Sequence, residues 1–226
     1  MQGQVGAGNG RTAARVVVGI AGGSAAGKTT LARALAMALD PERVLHVQQD
    51  WYYRDLTHLG PEEREACNFD RPEALELSLL RRHLRALGQG KAVWRPAYDF
   101  ATHRRLAHRR LLEPRELVLL EGTLILADPA LRELLDVRIY VDAPRATRLA
   151  RRLTRDVAER GRGVSSCLEQ HRRTVWPMHD LYVEPSRCHA DLVVAGAGIT
   201  SDAVAALARK VDERTRGAKC AVGAGP

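Results

Sequence analysis

The amino-acid sequence predicts an α/β fold, with a mostly parallel sheet of five strands and helices on both of its faces. Two observations lead to this prediction. Short apolar runs alternate along the chain with amphipathic patterns of helical period, as in sheets whose parallel strands are joined by helices. The chain has 226 residues, 45% of them hydrophobic, which suits one domain with a substantial core.

The predicted elements follow one another in a regular order. Apolar runs at residues 15–21, 44–47, 117–120, 137–141 and 192–194 are the predicted strands. Helical patterns are predicted at residues 28–39, 72–87 and 203–211, and Pro144 opens a further long helix rich in arginine. Residues 51–70 and 91–108 fit this alternation poorly, so we expect them to be insertions that bind the substrate. We expect one domain at residues 15–216, with short tails at 1–14 and 217–226.

The charge balance points to an anionic ligand. The chain has 35 Lys and Arg against 27 Asp and Glu, a formal net charge of +8, and the stretch 145–162 alone carries seven arginines. Arginine presents a planar fork of donors that suits phosphate oxygens. Aromatic residues make up only 4% of the chain, which is sparse for a surface that stacks on bases. We therefore expect a polyphosphate ligand and not a nucleic-acid polymer.

The cysteines and the hydropathy pattern indicate a cytoplasmic protein. The four cysteines are scattered without a zinc-binding spacing, and a chain of this size without an export signal favours reduced thiols. Apolar runs are too short to span a bilayer, and residues 1–14 do not resemble a signal peptide. We expect no association with a membrane.

The turn between the first predicted strand and the first predicted helix has the spacing of a phosphate-binding loop. It comprises Gly22, Gly23, Ser24, Ala25, Ala26, Gly27, Lys28 and Thr29, followed by Thr30. Its glycines let backbone N–H groups point at phosphate oxygens, and the helix that follows aims its positive end at the same place. Lys28 can contact the β- and γ-phosphates, and Thr29 can ligate Mg²⁺. A glycine-rich turn without a ligand is the alternative, but the strand and helix around it favour ATP binding.

Two acids follow predicted strands and are expected at the same edge of the sheet. Glu121 ends the run 117–120, at the edge where open α/β sheets bind ligands, and we expect it to hold Mg²⁺ directly or through water. Asp50 follows the run 44–47 and could accept the proton of an attacking hydroxyl. A helix cap or loop acid is an equally good interpretation of Asp50 from its position alone.

Several blocks of sequence together resemble uridine kinases (uridine–cytidine kinases). They are the phosphate loop, Gln49–Tyr53, Asn68–Pro72, Pro96–His103, Glu121–Gly122 and Arg155–Arg162, and they occur in the family's order between Val16 and Asp191. The resemblance implies a P-loop kinase fold with a substrate-binding insertion and an arginine-rich lid.

The resemblance also implies roles for individual residues. Asp50 matches the catalytic base, and Lys28, Arg155 and Arg160 match the groups that neutralise charge during transfer. The other residues that the resemblance implies in substrate binding are Tyr53, Phe69, Asp70, Tyr98, Phe100, His103, Arg152, Arg162 and Gln170. The expected activity is transfer of the ATP γ-phosphate to the 5′-hydroxyl of uridine or cytidine, with Mg²⁺, in a homo-oligomer that the family implies is a tetramer.

Other interpretations of the same residues stay open at this point. Phe69 and Tyr98 could be core residues, Asp70 could cap the helix that starts near Pro72, and the basic run 103–110 alone is typical of a solvated helix. The family's polar turn near the adenine is replaced by Ala195–Thr200, which leaves the choice between ATP and GTP open. The rivals are a kinase similar to phosphoribulokinase or pantothenate kinase, and a nucleotide-gated RNA-binding protein.

Overall fold

The architecture is a five-stranded parallel sheet with helices on both faces and a separate β-hairpin. The computed structural model describes residues 15–161, 163–196 and 199–223. The sheet has the order β2-β5-β1-β6-β7, with strands β1 (Val16–Gly22), β2 (Val44–Gln48), β5 (Leu117–Glu121), β6 (Val137–Asp142) and β7 (Leu192–Ala195). Strands β3 (Val93–Asp99) and β4 (Arg104–Leu112) form the hairpin. The predicted parallel sheet is confirmed, and each predicted strand lies within two residues of the observed one.

Helices connect the strands and cover the sheet. Their bounds are α1 (Lys28–Ala38), α2 (Pro61–Ala66), α3 (Leu77–Gly88), α4 (Pro129–Arg132), α5 (Arg145–Arg160), α6 (Val164–Gln170), α7 (Trp176–Met178), α8 (Glu184–Ser186) and α9 (Ser201–Gly223). Helices α6, α7 and α8 are joined by the π-helical turns His171–Val175 and His179–Val183. In the part of the chain that the structure describes, no helix is both long and apolar enough to span a membrane.

The core lies on both faces of the sheet, because every residue of β1 is buried. On one face, Leu31 and Leu35 of α1 pack with Ile20 of β1 in a cluster that also includes residues of α9. On the other face, Leu80 and Leu84 of α3 belong to a second cluster with residues of β1 and β5. Each fully buried leucine contributes about 1.5–3 kcal/mol relative to an exposed one. This packing fixes the carboxyl edge of the sheet, where the cleft described below lies.

The hairpin corrects the helical interpretation of the basic run 103–110. Residues Arg104–Leu112 are a strand that pairs antiparallel with Val93–Asp99, with a register shift between Pro96 and Ala97. The turn between the strands is closed by Asp99, whose carboxylate accepts hydrogen bonds from the Ala101 amide at 2.9 Å and the Thr102 hydroxyl at 2.6 Å. The pairing partner is the segment before the turn, Val93–Asp99, so the pattern within the run alone could not reveal it.

Two predicted helices differ from the observed ones. The helix predicted at 72–87 is a single 3₁₀ turn, Pro72–Ala74, followed by α3 from Leu77. The break occurs because Leu75 is extended and forms a β-bridge with Tyr53. The last helix, predicted at 203–211, runs from Ser201 to Gly223 and continues past the predicted start of the tail at 217.

Candidate active site

A cleft of about 850 Å³ opens at the carboxyl edge of the sheet. Strands β1, β2 and β5 all end there, so the turns that follow them meet in one place. Most of the predicted site residues line it, namely Ser24, Ala25, Gly27, Lys28, Thr29, Thr30, Asp50, Tyr53, Phe69, Asp70, Tyr98, Phe100, His103, Glu121, Arg152, Arg155 and Gln170. The structure therefore brings together residues that are spread over more than half of the sequence.

The phosphate loop wraps the N-terminus of α1. Gly27 is left-handed, with φ 111°, and α1 begins at the next residue, Lys28. The Lys28 ammonium donates a hydrogen bond to the Gly23 carbonyl at 2.9 Å, which folds the side chain back over the loop. Burial lowers the pKa of Lys28, while the nearby carboxylates of Glu121 and Asp50 act in the opposite direction. The loop thus presents a cation and the N–H groups of a helix terminus to one point, as a phosphate ligand requires.

Three of the predicted loop residues shape the loop and do not line the cleft. Gly22 has φ 142°, and a Cβ there would lie 2.4 Å from the Val141 carbonyl oxygen. A Cβ on Gly23 would lie 2.4 Å from the guanidinium of Arg148. Ala26 is fully buried, with its amide bonded to the Gly23 carbonyl at 3.1 Å. These positions need small residues because neighbouring backbone and side chains approach closely.

Glu121 and Thr29, the two predicted metal ligands, are in contact with each other. The Thr29 hydroxyl donates to Glu121 Oε2 at 2.8 Å, while Glu121 Oε1 lies 3.0 Å from both His46 Nε2 and Gln48 Nε2. Burial alone raises the pKa of Glu121, but hydrogen bonds from His46 and Thr29 and the charge of Lys28 outweigh it, so the pKa is lowered. An ionised carboxylate beside a hydroxyl suits Mg²⁺, which prefers oxygen ligands and takes the rest of its shell from phosphates and water.

Asp50 lies directly beyond β2, in the 3₁₀ turn Gln49–Tyr52. It lines the cleft together with Lys28 and Tyr53, and its charge acts on the pKa of both of these side chains. Tyr53, three residues later, is held by the β-bridge to Leu75. The turn therefore carries a carboxylate and an aromatic ring into the same cleft.

Five aromatic rings form a wall at one end of the cleft. Phe69 stacks on His103 with ring centroids 4.4 Å apart and an interplanar angle of 19°. Tyr53 contacts Phe69 at 5.5 Å and Tyr98 at 5.4 Å, and Tyr98 contacts Phe100 at 5.2 Å. Although Tyr98 is 8% exposed, it lines the cleft, so the core and pocket interpretations both apply to it. Such rings offer flat apolar faces to a ring of the ligand.

Asp70 is a half-buried acid beside this wall, and its interpretation as a helix cap is wrong. Its carboxylate accepts a hydrogen bond from the Thr174 hydroxyl at 3.1 Å, and the 3₁₀ turn at Pro72–Ala74 has Arg71 at its N-cap. Burial raises the pKa of Asp70, although the nearby Arg152 opposes the shift. Thr174 lies in the π-helical turn after α6, so the contact joins the insertion at residues 51–70 to the segment that follows α6.

The lid helix α5 directs two predicted arginines at the cleft. Arg152 is 7% exposed and donates to Ser24 Oγ at 3.0 Å and to Gln170 Oε1 at 2.8 Å. Arg155 donates to Asp156 at 3.0 Å, and Asp156 is fully buried. The remaining two lid predictions are not tested by the geometry: Arg160 ends α5 but its side chain lies outside the described residues, as does Arg162 entirely.

The cleft also contains residues that the sequence analysis missed. Arg33, Thr123, Arg151 and Ile199 line it, and Arg151 donates to the carbonyls of Ala26 at 3.3 Å and Gly196 at 3.1 Å. His46 and Gln48, which orient Glu121, alternate along β2 and so share one face of the strand. Two polar residues at that spacing in an otherwise apolar strand are the sequence feature that could have identified His46 and Gln48 as site residues.

Comparisons with known proteins show the family and the fold of this chain. Residues 17–201 match the Phosphoribulokinase / Uridine kinase family. A uridine kinase of Chloroflexus aggregans is 44% identical over 197 residues, covering 87% of this chain and 94% of the relative. A uridine kinase of Brevibacillus brevis is 41% identical over 196 residues, covering 87% and 92%. The phosphoribulokinase of Rhodobacter spheroides shares the fold, with a TM-score of 0.58 at 16% identity over 82% of this chain and 73% of that one. The chain therefore belongs to the Phosphoribulokinase / Uridine kinase family.

Proposed function

We propose that this kinase transfers the γ-phosphate of ATP to the 5′-hydroxyl of uridine and cytidine, giving UMP and CMP. The observation that carries the proposal is one cleft that joins a phosphate loop to an aromatic wall through two carboxylates, Asp50 and Asp70. A phosphate loop alone suits any P-loop kinase. The aromatic wall beside the half-buried acid Asp70 suits an acceptor that has both a flat ring and a sugar with neighbouring hydroxyls.

The nucleoside is proposed to lie between the aromatic wall and the lid. The ring would be held against Tyr53, Phe69, Tyr98 and Phe100, with the polar edge facing His103. Proposed contacts to the sugar and to the remaining polar groups come from Asp70, Arg152, Gln170 and Arg162. A carboxylate can accept hydrogen bonds from two neighbouring hydroxyls at once, which supports Asp70 as the ribose ligand.

The triphosphate is proposed to lie on the loop at residues 22–30. Lys28 would contact the β- and γ-phosphates, and the carboxylate and hydroxyl of Glu121 and Thr29 would hold Mg²⁺. The cation neutralises charge on the phosphates when it is bound. The lid arginines, Arg155 and Arg160, would stabilise the negative charge that develops on the transferred group.

Asp50 is proposed as the base that orients and deprotonates the 5′-hydroxyl. Its place at the carboxyl end of β2, between the loop and Tyr53, supports this role. Such a base must lie within hydrogen-bond reach of the attacking oxygen. An acceptor bound against the aromatic wall would bring its hydroxyl towards the loop, where Asp50 lies.

The compartment and assembly are also proposals. Free thiols at Cys67, Cys167 and Cys188 support a reducing, cytoplasmic location. The homo-tetramer implied by the resemblance is a prediction that light scattering on the purified protein would test.

A panel of acceptors tests the proposed function. Uridine, cytidine, adenosine, guanosine, ribulose 5-phosphate and pantothenate are each incubated with ATP and Mg²⁺, and the phosphorylated products are quantified. We expect turnover of uridine and cytidine. Rates for the purine nucleosides should be lower by at least roughly tenfold, because overpacking a pocket costs typically 1–3 kcal/mol. The variant Lys28→Ala serves as the control for contaminating kinases. Efficient phosphorylation of adenosine, or of the two non-nucleosides alone, would refute the pyrimidine assignment.

A further inference from the structure

Arg105 joins three elements that surround the nucleoside end of the cleft. It lies on β4 directly opposite Tyr98 of β3. Its Nε donates to the Tyr53 carbonyl at 2.8 Å, and its Nη1 forms an ion pair with Glu76 at 2.7 Å. A longer contact of 3.5 Å joins Nη2 to the Tyr52 carbonyl. One guanidinium therefore bonds the hairpin, the segment after Asp50 and the residue that precedes α3.

The segment that Arg105 bonds is already ordered on its other side. The Arg54 amide donates to the Ala74 carbonyl at 2.8 Å, and the Glu76 amide donates to the Tyr52 carbonyl at 2.8 Å. These bonds fix residues 52–54 against residues 74–76 as a short β-like pair. Arg105 extends the attachment to the hairpin, whose strands and turn carry Tyr98, Phe100 and His103.

The hairpin and the 3₁₀ turn Gln49–Tyr52, which we call the Asp50 turn, supply different parts of the site. The hairpin supplies three rings of the aromatic wall, whereas the turn supplies Asp50 and leads to Tyr53. The acceptor must touch both, because its ring lies against the wall while its hydroxyl approaches the base. The distance between ring and base is therefore set by whatever fixes the hairpin relative to the turn. The contacts of Arg105 span that junction.

We propose that Arg105 is a positioning residue that sets the hairpin against the Asp50 turn, and so determines the affinity and alignment of the nucleoside. This inference rests on the proposed nucleoside kinase function. Arginine suits the role because its planar fork can bond two carbonyls and a carboxylate at the same time, whereas lysine presents a single point charge. Arg105 does not line the cleft, so it acts through Tyr53, Tyr98 and Asp50 and touches no substrate.

A purely stabilising role predicts a different outcome. The side chains of Arg105 and Glu76 are 20% and 28% exposed, so the ion pair is partly solvated. Ion pairs near the surface contribute little to the free energy of unfolding, and exposed pairs have a median close to zero. If Arg105 only stabilised the fold, its loss would reduce the amount of folded protein without a selective change in KM for the nucleoside.

The test compares Arg105→Gln, Arg105→Lys and the control Arg109→Gln, which changes an exposed arginine on the same strand. KM and kcat are measured with uridine varied at saturating ATP, and with ATP varied at saturating uridine. For Arg105→Gln we expect KM for uridine to rise roughly tenfold or more, which is the scale of losing charge-assisted hydrogen bonds, while KM for ATP stays within about twofold. Arg105→Lys should recover part of the loss, and Arg109→Gln should behave as the wild type.

A second variant keeps the test decisive if Arg105→Gln does not fold. Glu76→Gln removes only the ion pair and should raise KM for uridine in the same direction but less. A KM for uridine equal to that of the wild type in folded Arg105→Gln, or in Glu76→Gln where the first variant is unfolded, would overturn the proposal. Equal increases in both KM values would overturn it as well. Failure of the wild type to phosphorylate any nucleoside would instead refute the function on which the proposal rests.

Discussion

Three polar side chains contact the Glu121 carboxylate, and they come from α1 and β2. Thr29 approaches one oxygen, and His46 and Gln48 approach the other. This arrangement keeps Glu121 ionised despite its burial, because the hydrogen bonds and Lys28 lower its pKa below the ordinary value of 4.5. A carboxyl with a lowered pKa contributes stability above its unfolded pKa and loses that contribution as the pH falls through its folded pKa. Glu121 is therefore charged at neutral pH, as its proposed role as a metal ligand requires.

Replacing Glu121 with Gln should weaken the use of Mg²⁺. The amide keeps the shape of the side chain but removes the charge that would face the cation. We expect the Mg²⁺ concentration for half-maximal activity to rise roughly tenfold or more, the scale seen when groups around a metal are altered. The control is Glu116→Gln, because Glu116 precedes β5 at the opposite edge of the sheet and pairs with Arg43. An unchanged Mg²⁺ dependence would exclude Glu121 from the metal site.

We expect Asp70 to lower the stability of the fold at neutral pH and to provide the selectivity for ribonucleosides over deoxyribonucleosides. Because burial raises its pKa, ionisation of Asp70 costs stability as the pH rises through its folded pKa, and this cost is absent below the unfolded pKa. Asp70→Asn should therefore not lower the melting temperature at pH 7. It should reduce the preference for uridine over 2′-deoxyuridine roughly tenfold, since hydrogen bonds to charged groups are worth about 1.5–3 kcal/mol.

The ratio of kcat/KM for uridine and 2′-deoxyuridine, measured for wild type and Asp70→Asn, checks this prediction. Glu73→Gln is the matched control, because Glu73 is an exposed acid in the same segment that pairs with Arg71. An unaltered ratio together with a lower melting temperature would assign Asp70 a structural role and remove it from the ribose site.

At the scale of elements, one buried acid pairs with two arginines of helix α5. Asp156 is fully buried and pairs with Arg152 at 3.4 Å and with Arg155 at 2.9 Å. It therefore orients Arg152 and Arg155 from within the helix. Asp156→Asn should lower kcat roughly tenfold or more, since the charges of Arg152 and Arg155 would no longer be held towards the transition state, and should change KM for uridine less. Glu169→Gln, which breaks the surface pair with Arg172, should leave kcat as it was. If Asp156→Asn lowered only the melting temperature, the acid would support the helix and not the lid arginines.

The elements also differ in how far the sequence could predict them. Strands β1 and β5 are continuous apolar runs, and the phosphate loop has fixed spacing, so both could be located. The β3–β4 hairpin could not, because exposed arginines such as Arg109 and Arg110 have no apolar alternation that would reveal a strand. The contact between Asp70 and Thr174 joins positions 104 residues apart, and separations of this kind leave no local pattern.

At the scale of the whole molecule, elements that are distant in sequence bring five basic side chains to the cleft. The formal net charge of the chain is +8. The basic side chains that line the cleft are Lys28, Arg33, Arg151, Arg152 and Arg155. Such a field attracts an anionic ligand towards the edge of the sheet where the phosphate loop lies. The sheet order β2-β5-β1-β6-β7 places the loop after β1 between two acids on one side, Asp50 after β2 and Glu121 at the end of β5, and the lid that follows β6 on the other. The fold thus assembles all parts of the site at one edge.

The most direct test of the central claim is the identity of the product formed from uridine. The protein is incubated with uridine, ATP and Mg²⁺, and the product is identified by ³¹P NMR and by chromatography against the 2′-, 3′- and 5′-monophosphates. We predict uridine 5′-monophosphate in a one-to-one ratio with ADP, because the proposed pose places the ring against the aromatic wall, the ribose hydroxyls at Asp70 and the 5′-hydroxyl near Asp50. ADP released without a nucleotide product, or phosphate on the 2′- or 3′-hydroxyl, would contradict this account of the cleft.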